Sequence, residues 1–196
     1  MGLIILRKAC ISLLVFVLIF LSSCAVTPGF TTEQTEKNLC KSYVMQGKLI
    51  YDSEKYDVEL THTDPASIVA EGQQTPEYKI AFKSGDITNG LTVEFFEEGV
   101  FLYFDDLRFK SNGEFFTSLA SLKKALNIFA RPDTKKETAV SQAATGMELY
   151  EITHSSDEGT SKLFISASDS IPLRLETNID GTSLALDISK FQFIEG

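Results

Sequence analysis

The side chains best suited to catalysis in this chain are its two histidines, but their surroundings do not complete a catalytic site. His62 lies within Thr-His-Thr-Asp, and His154 precedes a polar stretch of two serines, an aspartate and a glutamate. A His–Asp–Ser triad needs a nucleophile within hydrogen-bond reach of its base and donors for the oxyanion. No nucleophile-elbow motif is present. We therefore expect the protein not to be an enzyme.

Two acidic pairs, Glu97-Glu98 and Asp105-Asp106, are the other candidates for acid–base or calcium chemistry. Adjacent residues of a strand point to opposite faces of a sheet, so neighbours do not readily share a site. The spacing of a calcium loop is absent, and nothing beside Cys40 resembles a metal site. The sequence predicts no metal and no cofactor, and both pairs are interpreted as turn and edge residues.

Cys24 has the clearest covalent chemistry, because it closes the run Leu-Ser-Ser-Cys after a basic pair and an apolar stretch. Arg7 and Lys8 precede an uncharged run over residues 9–21, which is the order of a secretory signal. The run resembles the lipobox of bacterial lipoproteins. That resemblance implies cleavage before Cys24 and a diacylglycerol, with acyl chains such as palmitate, on its sulfur.

An uncleaved transmembrane helix is the competing interpretation of this segment. Crossing the hydrocarbon needs about 20 apolar residues, and extending the run toward residue 1 would bury Arg7 and Lys8. Two acyl chains anchor a protein stably, whereas one anchors it only marginally. The lipobox resemblance therefore implies a lipid-anchored protein on the extracytoplasmic face of the cell membrane, or of the outer membrane if the organism has two membranes.

The charge of the chain excludes nucleic acid as a partner. It has 27 acidic and 18 basic residues, a formal net charge of −9, and loss of Arg7 and Lys8 would make this −11. Phosphate backbones require Lys and Arg. With Cys24 acylated, Cys40 is left without a cysteine to pair with. It is either a small buried residue or a free thiol able to pair with a partner.

Alternating apolar residues predict strands along most of the chain. The predicted segments are 44–51, 56–63, 67–71, 78–82, 91–95, 100–104, 107–109, 147–154, 162–166, 172–177 and 183–193. The run 100–104 is apolar on both faces, which predicts a strand covered from two sides. Asp180-Gly181 predicts a two-residue hairpin. After Lys190 the alternation of apolar residues continues at Phe191 and Phe193, which indicates a bulge in this strand.

One segment has a helical period. Its apolar residues are spaced at three and four, and they are Phe115, Leu119, Leu122, Leu126 and Phe129. This spacing predicts an amphipathic helix that begins near Gly113 and ends before Pro132. Residues 31–43 have the capping residues of a short helix, and residues 133–145 are polar and predict a loop.

These elements predict a mainly β (α+β) fold, a curved antiparallel sheet or half-barrel of about ten strands covered by one main helix. The expected organisation is a signal peptide over 1–23, a lipidated tether over 24–42 and a β domain over 43–196. The helix needs an apolar surface to cover, and the concave side of the sheet provides one.

Two stretches carry a resemblance to a known fold. Residues 81–109 contain the strand start Asn-Gly-Leu-Thr at 89–92, and residues 163–193 contain Ile-Pro-Leu-Arg-Leu-Glu at 171–176, followed by the Asp-Gly hairpin. Their order resembles the half-barrel of the periplasmic lipoprotein carrier, the outer-membrane lipoprotein receptor and clostridial germination-type lipoproteins. The resemblance implies an apolar groove between sheet and helix that holds acyl chains or a partner's peptide.

Five apolar residues are the candidates for lining such a groove: Phe82, Phe95, Phe104, Leu186 and Phe193. Ordinary core packing is the alternative for all of them. Two functions follow. One is non-catalytic binding of a lipid or a lipoprotein acyl chain, and the other is interaction with a cell-envelope enzyme that the protein regulates or positions.

Overall fold

The structure, a computed structural model, describes residues 32–66, 75–85, 88–96, 98–111, 113–142 and 146–194. Cys24, the predicted signal peptide, the predicted strand at 67–71 and Glu97 lie outside the described residues. The predictions made for them stay predictions.

Two helices and eleven strands make up the described chain. Helix α1 is Thr32–Leu39 and helix α2 is Glu114–Ala130. Between them lie β1 (Tyr43–Tyr51), β2 (Glu54–His62), β3 (Tyr78–Phe82), β4 (Thr92–Phe96), β5 (Gly99–Phe104) and β6 (Leu107–Lys110). After α2 come β7 (Glu137–Gln142), β8 (Glu148–Ser156), β9 (Gly159–Ser166), β10 (Pro172–Ile179) and β11 (Thr182–Phe193).

All these strands belong to one sheet with the order β6-β5-β4-β3-β2-β1-β11-β10-β9-β8-β7. Every neighbouring pair is antiparallel. The first strand therefore lies at the centre, between its hairpin partner β2 and the last strand β11. Helix α2 connects β6 to β7, which are the two edges, so this connection passes from one side of the sheet to the other.

The predicted fold class, a sheet or half-barrel of about ten strands covered by one main helix, is wrong. The described chain forms a single sheet of eleven strands and has a second, short helix. The unexpected strand is β7, which lies inside the segment predicted to be a loop. Five of its six residues are exposed, so it has no alternation of buried and exposed residues to reveal it. The short helix expected within residues 31–43 is α1, and the helix expected after Gly113 is α2.

Two local predictions are confirmed. Asp180 and Gly181 join β10 to β11 with φ of 53° and 76°, the left-handed pair that a tight hairpin turn requires. The bulge lies where Gln46 faces Lys190 but Gly47 faces Ile188. A Cβ on Gly47 would lie 2.0 Å from the carbonyl oxygen of Asp187, so the close approach of β1 and β11 needs glycine here.

One face of the sheet forms the core together with α2. Met45, Leu60, Ile80 and Val93 are paired in register across β1 to β4, and each is at most 1% exposed. The apolar side of α2 packs on this inner face and is equally buried through Leu119, Leu122, Leu126 and Phe129. The outer face carries ion pairs between neighbouring strands, such as Lys48–Asp57 at 2.7 Å and Lys162–Glu151 at 2.8 Å.

Candidate functional site

The inner face loses its cover toward the β6 edge. The row that begins with Met45 continues through Leu102 on β5 to Phe109 on β6. Its exposure rises from 0% at Val93 to 9% at Leu102 and 45% at Phe109. Since residues paired in register share a face, the apolar surface of the core continues outward until solvent reaches it.

A second row shows the same change. Phe82 and Leu91 are 1% and 7% exposed, whereas Phe104 and Leu107, which are paired with each other, are 41% and 60% exposed. The ring of Phe104 lies 3.9 Å from where a Cβ of Gly90 would be. Phe104, Leu107 and Phe109 together form an exposed apolar surface, which we call the edge patch.

Half-buried aromatic rings meet where α2 begins. The Phe115 ring lies 5.1 Å from that of Tyr51, 5.5 Å from Tyr56 and 6.0 Å from Phe82, between ring centroids. Phe116 lies 5.0 Å from Phe115. Aromatic pairs at these distances stabilise by about 0.5–1.5 kcal/mol beyond their burial. They fix the start of α2 against the β1–β2 hairpin, beside the core residue Phe82.

The five predicted groove residues separate into two groups. Phe82, Phe95 and Leu186 are 1–2% exposed on the inner face, where the core already fills the space around them. Phe104 belongs to the edge patch. Phe193 is 44% exposed on the other half of the sheet and lies under the ammonium of Lys41, 5.1 Å from the ring centroid. The sequence did not predict Leu107 and Phe109 as site residues, because alternation does not reveal which part of a face a helix covers.

The prediction that 100–104 is covered from two sides is wrong. On the outer face, Phe101 and Tyr103 are half-buried under the guanidinium of Arg108, whose carbon lies 4.1 Å from the Phe101 ring centroid and 5.6 Å from that of Tyr103. A cation stacked on aromatic faces provides this cover in place of a second layer of structure.

A buried polar cluster lies under α2. The His62 ring is 4.9 Å from Tyr43 and 4.7 Å from Tyr78, and its Nδ1 is 2.8 Å from the carbonyl oxygen of Lys41. The Tyr78 hydroxyl donates to Asn127 Oδ1 of α2 at 2.6 Å. The Tyr43 hydroxyl is buried and has no hydrogen-bond partner among the described residues.

Burial shifts the titration of this cluster. It lowers the pKa of His62, against the opposing effects of its backbone hydrogen bond and of Glu77 and Asp64. It raises the pKa of Tyr43 and of Tyr78 above the ordinary tyrosine value. All three rings are therefore neutral at physiological pH, and the cluster connects the sheet to α2 through uncharged groups.

The other catalytic candidates lie apart. His154 is on β8, where its Nδ1 lies 2.9 Å from the carbonyl oxygen of Lys135, whereas His62 is on β2. Asp105 and Asp106 form the turn between β5 and β6. Within the described ranges, no group of three or more His, Cys, Asp or Glu side chains is placed to hold a metal ion.

Cys40 has an exposed thiol, so the interpretation of it as a buried residue is wrong. Its Sγ donates to the carbonyl oxygen of Ala130 at 3.4 Å. Neither helix in the part of the chain that the structure describes is long and apolar enough to cross a membrane.

Two open cavities lie on the outer face. One, of about 520 Å³, is lined by Ile50, Ala185 and the polar residues around them, and the other, of about 510 Å³, surrounds Gly47. The charged side chains around the second cavity are paired among the described residues, as in Lys83–Glu59 at 3.3 Å. At the first cavity, Asp52 is the charged lining residue without an ion pair in the described part of the chain, and a single carboxylate at the margin does not make an ionic site.

A scan with protein-family models and a search of curated proteins both return no match. Among solved structures, the chain is similar to an uncharacterised conserved protein from Thermus thermophilus, with 14% identity and a TM-score of 0.49 over 84% of this chain and 85% of that one. It is similar to the Mycobacterium tuberculosis lipoprotein LppX, with 13% identity and a TM-score of 0.42 over 84% and 93%.

A LolA superfamily protein from Nitrosomonas europaea is also similar, with 8% identity and a TM-score of 0.39 over 86% of this chain and 96% of that one. At such TM-scores these likenesses do not by themselves establish a shared family or function. The lipobox and the resemblance to germination-type lipoproteins stay predictions.

Replacing Tyr43 with Phe is expected to leave the free energy of unfolding unchanged or to raise it by about 1 kcal/mol, because a buried hydroxyl without a partner costs stability. The control is Tyr78→Phe, which removes the bond to Asn127 and should lower it by about 1 kcal/mol. Urea unfolding of both variants measures the difference. A large loss in Tyr43→Phe would show that its hydroxyl is satisfied.

Acidification below pH 6.5, the ordinary pKa of histidine, is expected to destabilise the protein through His62. The folded state has the lower pKa, so the unfolded state takes up the proton first and stability falls as the pH drops toward the folded pKa. One such group changes stability by at most about 1.4 kcal/mol per pH unit.

The test compares urea unfolding at about pH 7.5 and about pH 5.5, on either side of the ordinary histidine pKa. His62→Gln should reduce this pH dependence, and His154→Gln, at the half-buried histidine of β8, serves as the control. An unchanged slope in His62→Gln would contradict the assignment.

Proposed function

We propose that this protein binds the acyl chain of a lipid or lipoprotein on the inner face of its sheet, at the edge patch beside α2. The role is non-catalytic. The protein acts at the extracytoplasmic face of a membrane, where a diacylglycerol on Cys24 holds it. The observation that carries the proposal is the continuous row from the buried core to the exposed Phe109.

The chemistry of the edge patch supports an apolar ligand. Phe104, Leu107 and Phe109 have no ionisable atoms, and they adjoin Leu102 and Leu91, which are nearly buried. Contiguous exposed apolar patches on soluble proteins often mark interaction sites. Ligand sites are mostly lined by apolar and aromatic side chains. An acyl chain placed here would extend the core by one more layer.

The start of α2 supports the same site. The rings of Phe115 and Phe116 are half-buried and contact each other, and Phe115 contacts Phe82, which lies in the row that leads to Phe104 and Leu107. An aromatic surface between core and patch allows a flexible chain to pack without requiring a hydrogen bond, so the site would distinguish acyl chains by length more than by polar groups.

An envelope protein is the second candidate partner. The edge strand β7 is largely exposed, and Val140 within it is 64% exposed. Exposed edges can add a strand from a partner. Such a partner would need β7, whereas an acyl chain would need the edge patch on the opposite edge, and this difference allows a test.

The test uses the full chain and a fluorescent fatty-acyl probe. Leu107→Asp and Phe109→Asp are expected to weaken probe binding at least tenfold, because a carboxylate in the patch would have to lose its water to admit an acyl chain. The matched control is Met147→Asp, at an apolar side chain that is 44% exposed directly before β8, away from the β6 edge. Equal binding by all variants, or no binding by the unaltered chain, would refute an acyl site at the edge patch.

The anchor is tested separately. Cys24→Ser should move the protein from the membrane fraction to the soluble fraction, because a serine hydroxyl does not carry the thioether-linked diacylglycerol and two acyl chains are what hold such a protein stably. Fractionation followed by immunoblotting measures the change. Unchanged membrane association of the variant would contradict the predicted lipid anchor.

A further inference from the structure

An ion pair whose two side chains are mostly buried joins α1 to the chain that follows α2. Lys136 Nζ lies 2.6 Å from Glu36 Oε1, and the two side chains are 4% and 14% exposed. The ion pair between Lys123 of α2 and Glu77, by comparison, is 22% and 30% exposed. Removing one partner of a buried pair leaves a charge without compensation and is strongly destabilising, whereas exposed pairs contribute little.

Lys136 also caps the C-terminal end of α2. Its ammonium donates to the carbonyl oxygen of Phe129 at 3.3 Å and to that of Arg131. With Glu36, these acceptors use all three donors of a lysine ammonium. The last carbonyls of a helix have no intrahelical partner and form its negative end. Because α2 has no basic residue in its last turn, a lysine outside the helix supplies the charge.

Helix α1 has little stability of its own. It has eight residues, and isolated helices shorter than about 12–15 residues are marginal in water. Its buried residues are Thr35, Asn38 and Leu39, and the Thr35 hydroxyl is buried without a partner in the described part of the chain. Docking of α1 therefore depends on Leu39, on the contact of Cys40 with Ala130, and on the pair between Glu36 and Lys136.

We infer that α1 is a latch that holds the C-terminal half of α2 on the sheet, and that breaking the pair between Glu36 and Lys136 releases both helices together. Release exposes the inner face under Leu126 and Phe129, beyond the edge patch that is already open. The opening itself is inferred without the proposed function. Only the statement that the opening admits an acyl chain rests on that function. Because α1 lies within the predicted tether, a pull on the anchored end of the chain would act on the latch first.

The test is hydrogen–deuterium exchange of the full chain without ligand, followed by peptide mass spectrometry. Glu36→Gln and Lys136→Met are expected to accelerate exchange in α1 and in the C-terminal half of α2 by about 100-fold, as loss of one partner of a buried pair implies. Strands β2 and β3, which α1 does not hold, should keep their protection.

Three control variants isolate the latch. Lys37→Met breaks the exposed pair with Glu33 inside α1, and Lys123→Met breaks the partly exposed pair between α2 and Glu77, so neither should reproduce the effect. The double variant Glu36→Leu/Lys136→Met replaces the pair with apolar side chains, a change that is often neutral. It should restore slow exchange in α1, although the carbonyls of Phe129 and Arg131 lose their cap.

Unchanged exchange of α2 in both single variants would overturn the latch. Equal acceleration in β2, β3 and α2, or a failure of the single variants to fold while the double variant folds, would also overturn it, because the pair would then support the whole fold. Dissociation of the acyl probe should be faster in Glu36→Gln. If α2 is released but no variant binds the probe, the latch stands and the proposed function fails.

Discussion

The inner face of the sheet is larger than the helix that covers it, and the other features of the structure depend on this difference. Eleven strands at about 4.8 Å spacing extend about 48 Å across. A helix of 17 residues is only about 25 Å long. Wherever α2 lies, a part of an apolar face is left to solvent or to a ligand. In this protein the uncovered part includes the β6 edge.

Stability must come mainly from the inner face. The ion pairs of the outer face are reached by solvent: the side chains of Lys48–Asp57 are 57% and 51% exposed, and those of Lys162–Glu151 are 40% and 24% exposed. Pairs at the surface contribute about 0–1 kcal/mol each. They keep the outer face soluble and oppose pairing with other sheets. The buried rows across β1 to β4 and the apolar side of α2 supply the hydrophobic free energy, at about 25 cal/mol per Å² of apolar surface. The sheet thus has one face for stability and one for solubility.

Local patterns predicted the elements better than they predicted the site. The period of three and four from Phe115 to Phe129 identified α2, and Asp180-Gly181 identified a hairpin, because both depend on neighbouring residues. Alternation made Phe82 and Phe104 candidates for the same groove but gave no sign that only Phe104 is exposed. That difference depends on where α2 packs, which is decided by contacts far apart in the chain. The pair between Glu36 and Lys136 spans 100 residues and has no local pattern at all.

The central place of β1 has a consequence for how the chain folds. One side of β1 pairs with β2 at once, but the other pairs with β11, so that Tyr43 meets Phe193. The middle of the sheet therefore forms only when β1 pairs with a strand whose partner residues lie up to 150 positions away, as Tyr43 and Phe193 do. Contacts with such a large sequence separation slow folding. Loss of the final strand would also remove the centre of the molecule, leaving two separate half-sheets, where most antiparallel meanders would lose only an edge.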